Sequence, residues 1–126
     1  MAALTDSERE EIEAVLARVR DEMLTEMRTV GFDLKGERRY DASAWDINNG
    51  PCQEFAKMAL EAMPERLRAH AVGRWVEELG APNHYVIYAG GRWYDAECIG
   101  GIEDVWQLPF YLGSERPQAA IGISLV

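Results

Sequence analysis

One segment constrains this chain more than any other: the run from His84 to Glu97. Two stretches of strand-forming residues, His84–Ala89 and 92–96, are separated by nothing but Gly90-Gly91. A two-residue hairpin loop requires positive φ at its centre, which glycine supplies without steric cost. The spacing therefore predicts a tight antiparallel hairpin in which opposed residue numbers share one sum. Ala89 then faces Arg92, Tyr88 faces Trp93, Val86 faces Asp95 and His84 faces Glu97. Side chains alternate across a strand, so His84, Val86 and Tyr88 share a face with Trp93, Asp95 and Glu97. His84 and Asp95 become diagonal neighbours, with backbones about 7–8 Å apart, a gap that side chains can bridge. A three-residue turn would flip this parity.

The chain ahead of the hairpin has a different period. Thr5, Asp6 and Ser7 are helix-capping types, and Glu8, Glu10 and Glu11 load the first turn with charge that the helix dipole favours. Ile12, Val15, Leu16, Val19, Met23, Met27 and Val30 then recur every three or four residues. They make residues 1–30 an amphipathic helix running to about Thr29 and ended by Gly31. Its stripe is expected to cover the domain's own core rather than a partner. Residues 31–50 lack a period and read as a long loop, with room for a short helix before the turn at Asn48-Asn49-Gly50. Pro51 suits a second helix start, and Phe55, Ala56, Ala59, Leu60 and Met63 form that helix's apolar face. Pro64 stops it or restarts it over 64–70. Residues 71–79 fit either a helix or a strand, residues 106–112 look strand-like, and residues 119–126 read as a closing strand. Helices first and an antiparallel sheet second is an α+β order.

Composition narrows the class. At 126 residues the chain fits a single domain, 1–126, with one core. Thirteen Lys and Arg against 22 Asp and Glu give a net charge of −9, which argues against direct binding of nucleic acid through phosphates. The acids are spread along the chain, as on a solvated surface. No apolar run approaches the length of a membrane span, and the N-terminus lacks the pattern of a secretory signal. A cytoplasmic protein is the expectation. The two cysteines, Cys52 and Cys98, make no disulfide framework. With His70 and His84 they provide no close ligand pair, so neither a metal nor another cofactor is expected.

Three residues carry most of the chemical argument. Cys52 falls in the first turn of the second helix, where unpaired N–H groups favour thiolate over thiol. A thiolate is a nucleophile, although a free cysteine on an apolar helix face also serves as a small buried hydrophobe. His84 opens a strand, a position that alone marks a structural histidine as readily as a catalytic one. Asp95 can fix the imidazole tautomer and stabilise the imidazolium, or simply bond a turn amide. Glu97, opposite His84, is a second candidate for that acid role. Cys98 reads as a structural thiol and His70, among arginines, as a surface residue.

The order Cys52, His84, Asp95 is where a family likeness begins. Gly50-Pro51-Cys52-Gln53-Glu54-Phe55-Ala56, the strand opened by Asn83-His84, and Arg92-Trp93-Tyr94-Asp95-Ala96 resemble motifs of the papain-like superfamily. The likeness is to its transglutaminase-like and NlpC/P60-like branches, in which Gly-x-Cys-x-x-Phe/Tyr-Ala opens a helix. It spans residues 45–112. The chain is also similar to small phage and prophage proteins with Asn-Gly-x-Cys, a strand histidine and Tyr-Asp-Ala-Glu followed by Leu-Pro-Phe, here Leu108-Pro109-Phe110. It departs from the usual pattern around the histidine, where Asn83 replaces glycine and Val86 replaces tryptophan.

The resemblance implies a papain-like α+β fold and an acyl-transfer enzyme acting on a peptide or protein amide: a peptidase, amidase, deamidase or transglutaminase. Cys52 would be the nucleophile, His84 the general base and acid, and Asp95 the orienting group. The oxyanion would lie against the Cys52 backbone N–H and one side chain among Asn48, Asn49 and Gln53. A second reading keeps the fold and drops the chemistry. In it, an acidic phage-type protein occupies a basic, nucleic-acid-binding protein surface as a DNA mimic, in the manner of an anti-CRISPR.

Overall fold

The computed structural model of the chain describes residues 3–29, 41–77 and 82–112. Helix α1, Asp6–Thr29, begins where its sequence supplies a reciprocal cap. The Glu8 N–H donates to Thr5 Oγ1 at 3.1 Å, and the Thr5 N–H donates to Glu8 Oε1 at 2.9 Å. Ile12, Val15, Leu16, Val19, Met23 and Met27 are buried along one stripe. A short helix α2, Ala44–Asn48, follows, its start marked by the Ser43 N–H donating to Asp46 Oδ2 at 2.8 Å. Helices α3, Cys52–Ala62, and α4, Glu65–Arg68, are separated at Pro64, which is the cap residue before α4. Proline has no N–H to continue a helix and fits ahead of a new one.

Three strands form one antiparallel sheet in the order β1-β2-β3: Ala71–Val76, His84–Ala89 and Arg92–Tyr94. The β2–β3 register pairs Ala89 with Arg92, Tyr88 with Trp93 and Ile87 with Tyr94, the pairing that a two-residue turn predicts. Gly90 and Gly91 have φ of +57° and +85°, the double left-handed turn that matches strand twist. The segment after α4, open between helix and strand on sequence, is a strand because all six of its residues pair with β2. Gly73 leaves room for the Tyr85 ring to lie across the strand, since a Cβ there would lie 2.4 Å from Tyr85 Oη.

The sheet has a layer on each side. Phe55, Ala56 and Ala59 of α3 join the α1 stripe against Ile87, Ala89 and Tyr94. Val76 and Val86, which point the other way, pack with Leu108, Phe110 and Tyr111. The second layer corrects one expectation: residues 106–112 are not a strand. A 3₁₀ turn at Val105–Gln107 leads into helix α5, Pro109–Leu112. Asp104 Oδ1 accepts the Trp106 N–H at 3.0 Å and starts the turn, and Leu108 is extended ahead of proline, as the ring demands. The ladder position beside Trp93 is already filled by a bridge to Ile102. The expected closing strand at 119–126 and the helix-ending Gly31 lie outside the described residues. The α+β class holds, and no described helix is long and apolar enough to cross a membrane.

Candidate active site

The tight hairpin carries two of the site's groups. His84 opens β2 and Asp95 follows the last residue of β3, and both are buried. His84 Nε2 and Asp95 Oδ2 are 2.9 Å apart. The other carboxylate oxygen, Oδ1, accepts the backbone N–H groups of Glu97 at 3.0 Å and Cys98 at 2.8 Å. With one oxygen bound to its own turn and the other to the ring, Asp95 has little freedom to move. Of the two acids expected near His84, Asp95 makes the contact. Glu97 Oε1 instead accepts a hydrogen bond from Asn48 Nδ2 at 2.8 Å.

Cys52 approaches from the α3 side. Pro51 is the residue before α3, and no side chain caps the helix. The backbone N–H groups of Gln53 and, across the gap to β2, of Tyr85 favour a negative charge on the half-buried Cys52 sulfur. Burial is the strongest single influence on the thiol and pushes its pKa up. Interaction with His84, together with the Tyr85 and Gln53 donors, outweighs burial, and the net direction is down. The ring responds reciprocally. Burial disfavours the imidazolium most, but the hydrogen bond to Asp95, the proximity of Cys52 and the negative charge of both carry the His84 pKa above its usual value. Because Nε2 belongs to Asp95, the nitrogen left for the thiol is Nδ1. Nδ1 is buried and has no partner at hydrogen-bond geometry among the described residues, so the contact with Cys52 is looser than a formed hydrogen bond.

The remaining expected residues divide. Asn48 is buried and bridges two segments, its Oδ1 accepting the Ala96 N–H at 3.3 Å while Nδ2 holds Glu97. It ties α2 to the turn that carries Asp95. Asn49 Nδ2 donates to the Trp45 carbonyl at 2.9 Å, inside the local helix end. The Cys52 N–H donates to the Gly50 carbonyl at 2.9 Å rather than pointing outward. Gln53 is exposed in the first turn of α3, beside the thiol.

Two neighbours of the histidine carried no expected role. The Phe110 ring lies against the His84 ring with centroids 3.9 Å apart and planes 8° from parallel. Tyr111 meets the same ring edge-on at 6.3 Å, and its hydroxyl donates to the Pro82 carbonyl at 3.3 Å, just ahead of β2. Leu108-Pro109-Phe110 stood out in the sequence, but nothing in it said that a helix would fold this segment onto the hairpin. Cys98 is half-buried among Trp93, Ile102 and Val105. Among the described residues, no group of three His, Cys, Asp or Glu side chains is placed to hold a metal ion.

The arrangement can hold a thiolate beside an imidazolium that is itself backed by a buried carboxylate. Set against protein-family models, curated proteins and solved structures, the chain matches none.

Proposed function

We propose that this protein is a papain-like thiol enzyme that transfers the acyl group of a peptide or protein amide. The observation that carries the reading is the buried contact of His84 Nε2 with Asp95 Oδ2, 2.9 Å, with Cys52 acting on the same ring. A buried His–carboxylate pair is costly unless it is well bonded, and a thiol pKa lowered against burial requires a reason. Acyl transfer supplies one.

In this reading the Cys52 thiolate attacks the amide carbon and the carbonyl electron pair moves onto oxygen. His84 passes its Nδ1 proton to the leaving amine as the C–N bond breaks, which leaves a thioester on Cys52. Water or a second amine, deprotonated by the now neutral ring, then attacks the thioester; the C–S bond breaks, the acyl product leaves and the Cys52 thiolate is restored beside the protonated ring. Asp95 holds the tautomer throughout. Of the three amides named for the oxyanion, Gln53 is the one this reading assigns, since Asn48 Nδ2 and Asn49 Nδ2 donate elsewhere.

The test is iodoacetamide labelling followed by mass spectrometry of each cysteine peptide. Cys52 is expected to label faster than Cys98 and to keep labelling below the pH at which an ordinary thiol stops. Equal, slow labelling of both cysteines would end the enzyme reading. The acidic binding-protein reading rests on the net charge of −9 and needs no thiol, so it expects Cys52→Ala to keep full function. It offers no role for the buried His84–Asp95 pair.

A further inference from the structure

Histidine's χ2 is a soft torsion between a tetrahedral and a planar carbon. Its axis is the Cβ–Cγ bond, whose line leaves the ring between Cε1 and Nε2, so rotation displaces Nδ1 farther than Nε2. The Asp95 bond is made at Nε2, the nitrogen this rotation displaces least. By itself, therefore, Asp95 holds Nε2 more tightly than it aims Nδ1. A flat wall on the ring face supplies the missing restraint, and Phe110 is such a wall, 3.9 Å away and 8° from parallel. Tyr111, edge-on at 6.3 Å, limits the ring without setting its plane.

Resting on the thiol-enzyme reading, we propose that Phe110 is a positioning residue that sets the plane of the His84 ring, and so the aim of Nδ1 at Cys52. The aromatic face also favours a cation laid against it, and the ring is a cation for part of the cycle. The titratable groups facing His84 are Cys52 from α3 and Asp95 from the turn after β3, with the Tyr111 ring from α5. Phe110 adds no charge to this set. Its effect is on geometry and on the preference for imidazolium.

The test compares Phe110→Leu, Phe110→Met and Phe110→Tyr with the parent chain in two measurements. The first is the pH profile of Cys52 alkylation. Loss of the flat face in the Leu and Met variants is expected to slow labelling about fivefold near pH 6 and to move the acidic limb upward, whereas Tyr restores both. The second is the NMR titration of the His84 ring, which does not depend on any activity of Cys52. In the Leu and Met variants its signals are expected to broaden and its midpoint to fall. If either folded aliphatic variant keeps the parent's His84 midpoint and line widths, Phe110 does not position the ring. If the ring signals change while the parent's Cys52 labels no faster than Cys98, Phe110 still sets the ring and the thiol-enzyme reading is what fails. Should both aliphatic variants fail to fold, Phe110→Tyr decides: a hydroxyl on the retained flat ring must leave midpoint and line widths as in the parent, and a lower midpoint or broader signals overturn the proposal.

Discussion

Cys52 and Cys98 are both half-buried, and both are pushed toward the neutral thiol by that burial, yet their acidities move in opposite directions. At Cys98 the neighbouring charge is the carboxylate of Asp95, which adds to the effect of burial and raises the pKa further. At Cys52 the neighbour is His84, with Asp95 on its far nitrogen, and the backbone N–H groups of Tyr85 and Gln53 also favour the thiolate. One carboxylate thus acts on both thiols. Next to Cys98 it opposes the thiolate directly, and through the imidazole it supports the thiolate at Cys52. Burial alone therefore does not set the direction in which a thiol's acidity moves; what matters is the charge that stands between the sulfur and the nearest acid.

The sharpest way to break this contrast is to remove the intermediary. His84→Ala is expected to cut the alkylation rate of Cys52 by about two orders of magnitude near neutral pH, bringing it down to that of Cys98, as loss of a general base does. A Cys52 that stays fast without His84 would mean that the helix start alone sets its reactivity. Asp95→Asn removes the charge and keeps the shape. We expect Cys52 labelling to slow about tenfold as the imidazolium loses its partner, and the Cys98 pKa to fall because the opposing charge is gone. Opposite movement of the two thiols in one variant is the signature to measure, and parallel movement would refute the shared-carboxylate account.

Asn48→Ala tests whether the bridge between α2 and the Asp95 turn matters to both sites. It leaves the Ala96 N–H and the Glu97 carboxylate without this partner, so thermal unfolding should show a loss of about 1–3 kcal/mol. Cys52 labelling should slow by a smaller factor than in Asp95→Asn. The smallest expected effect is a pH dependence of stability. The folded His84 pKa is raised, so its contribution is full below the unfolded value of about 6.5 and is lost as pH climbs through the higher folded value. The stability of the parent relative to His84→Gln should therefore shrink from about pH 6 upward. A margin that widened with pH would reverse the sign assigned to His84.

Much of the local structure was legible in the chain itself. The Gly90-Gly91 turn carried the β2–β3 register, because a two-residue loop leaves no freedom in which residues oppose each other. From that register and side-chain alternation came the pairing of His84 with Asp95. The capping residues and apolar stripe of α1 were equally local. Residues 71–76 were ambiguous because Val72, Trp75 and Val76 satisfy two periods at once, and only the neighbouring β2 edge made them a strand. Residues 106–112 look strand-like in the sequence because aromatic residues favour strands in general. Here Pro109 and the Asp104 cap favour a helical turn, and burial of Leu108, Phe110 and Tyr111 against Val76 and Val86 holds it.

The candidate site divides along the same line. The residue types that bear on the chemistry, Cys52, His84 and Asp95, were set by local features: a helix start, a strand start and a tight turn. Which of Asp95 and Glu97 reaches His84, where the amides of Asn48 and Asn49 are spent, and that Phe110 lies flat on His84 were decided only in three dimensions. Turn geometry and helix periodicity act over a few residues and are written in their order. A hydrogen bond across 48 positions, or a ring stacked from a helix 26 residues further along, depends on how separate elements pack, and no short window of sequence encodes that.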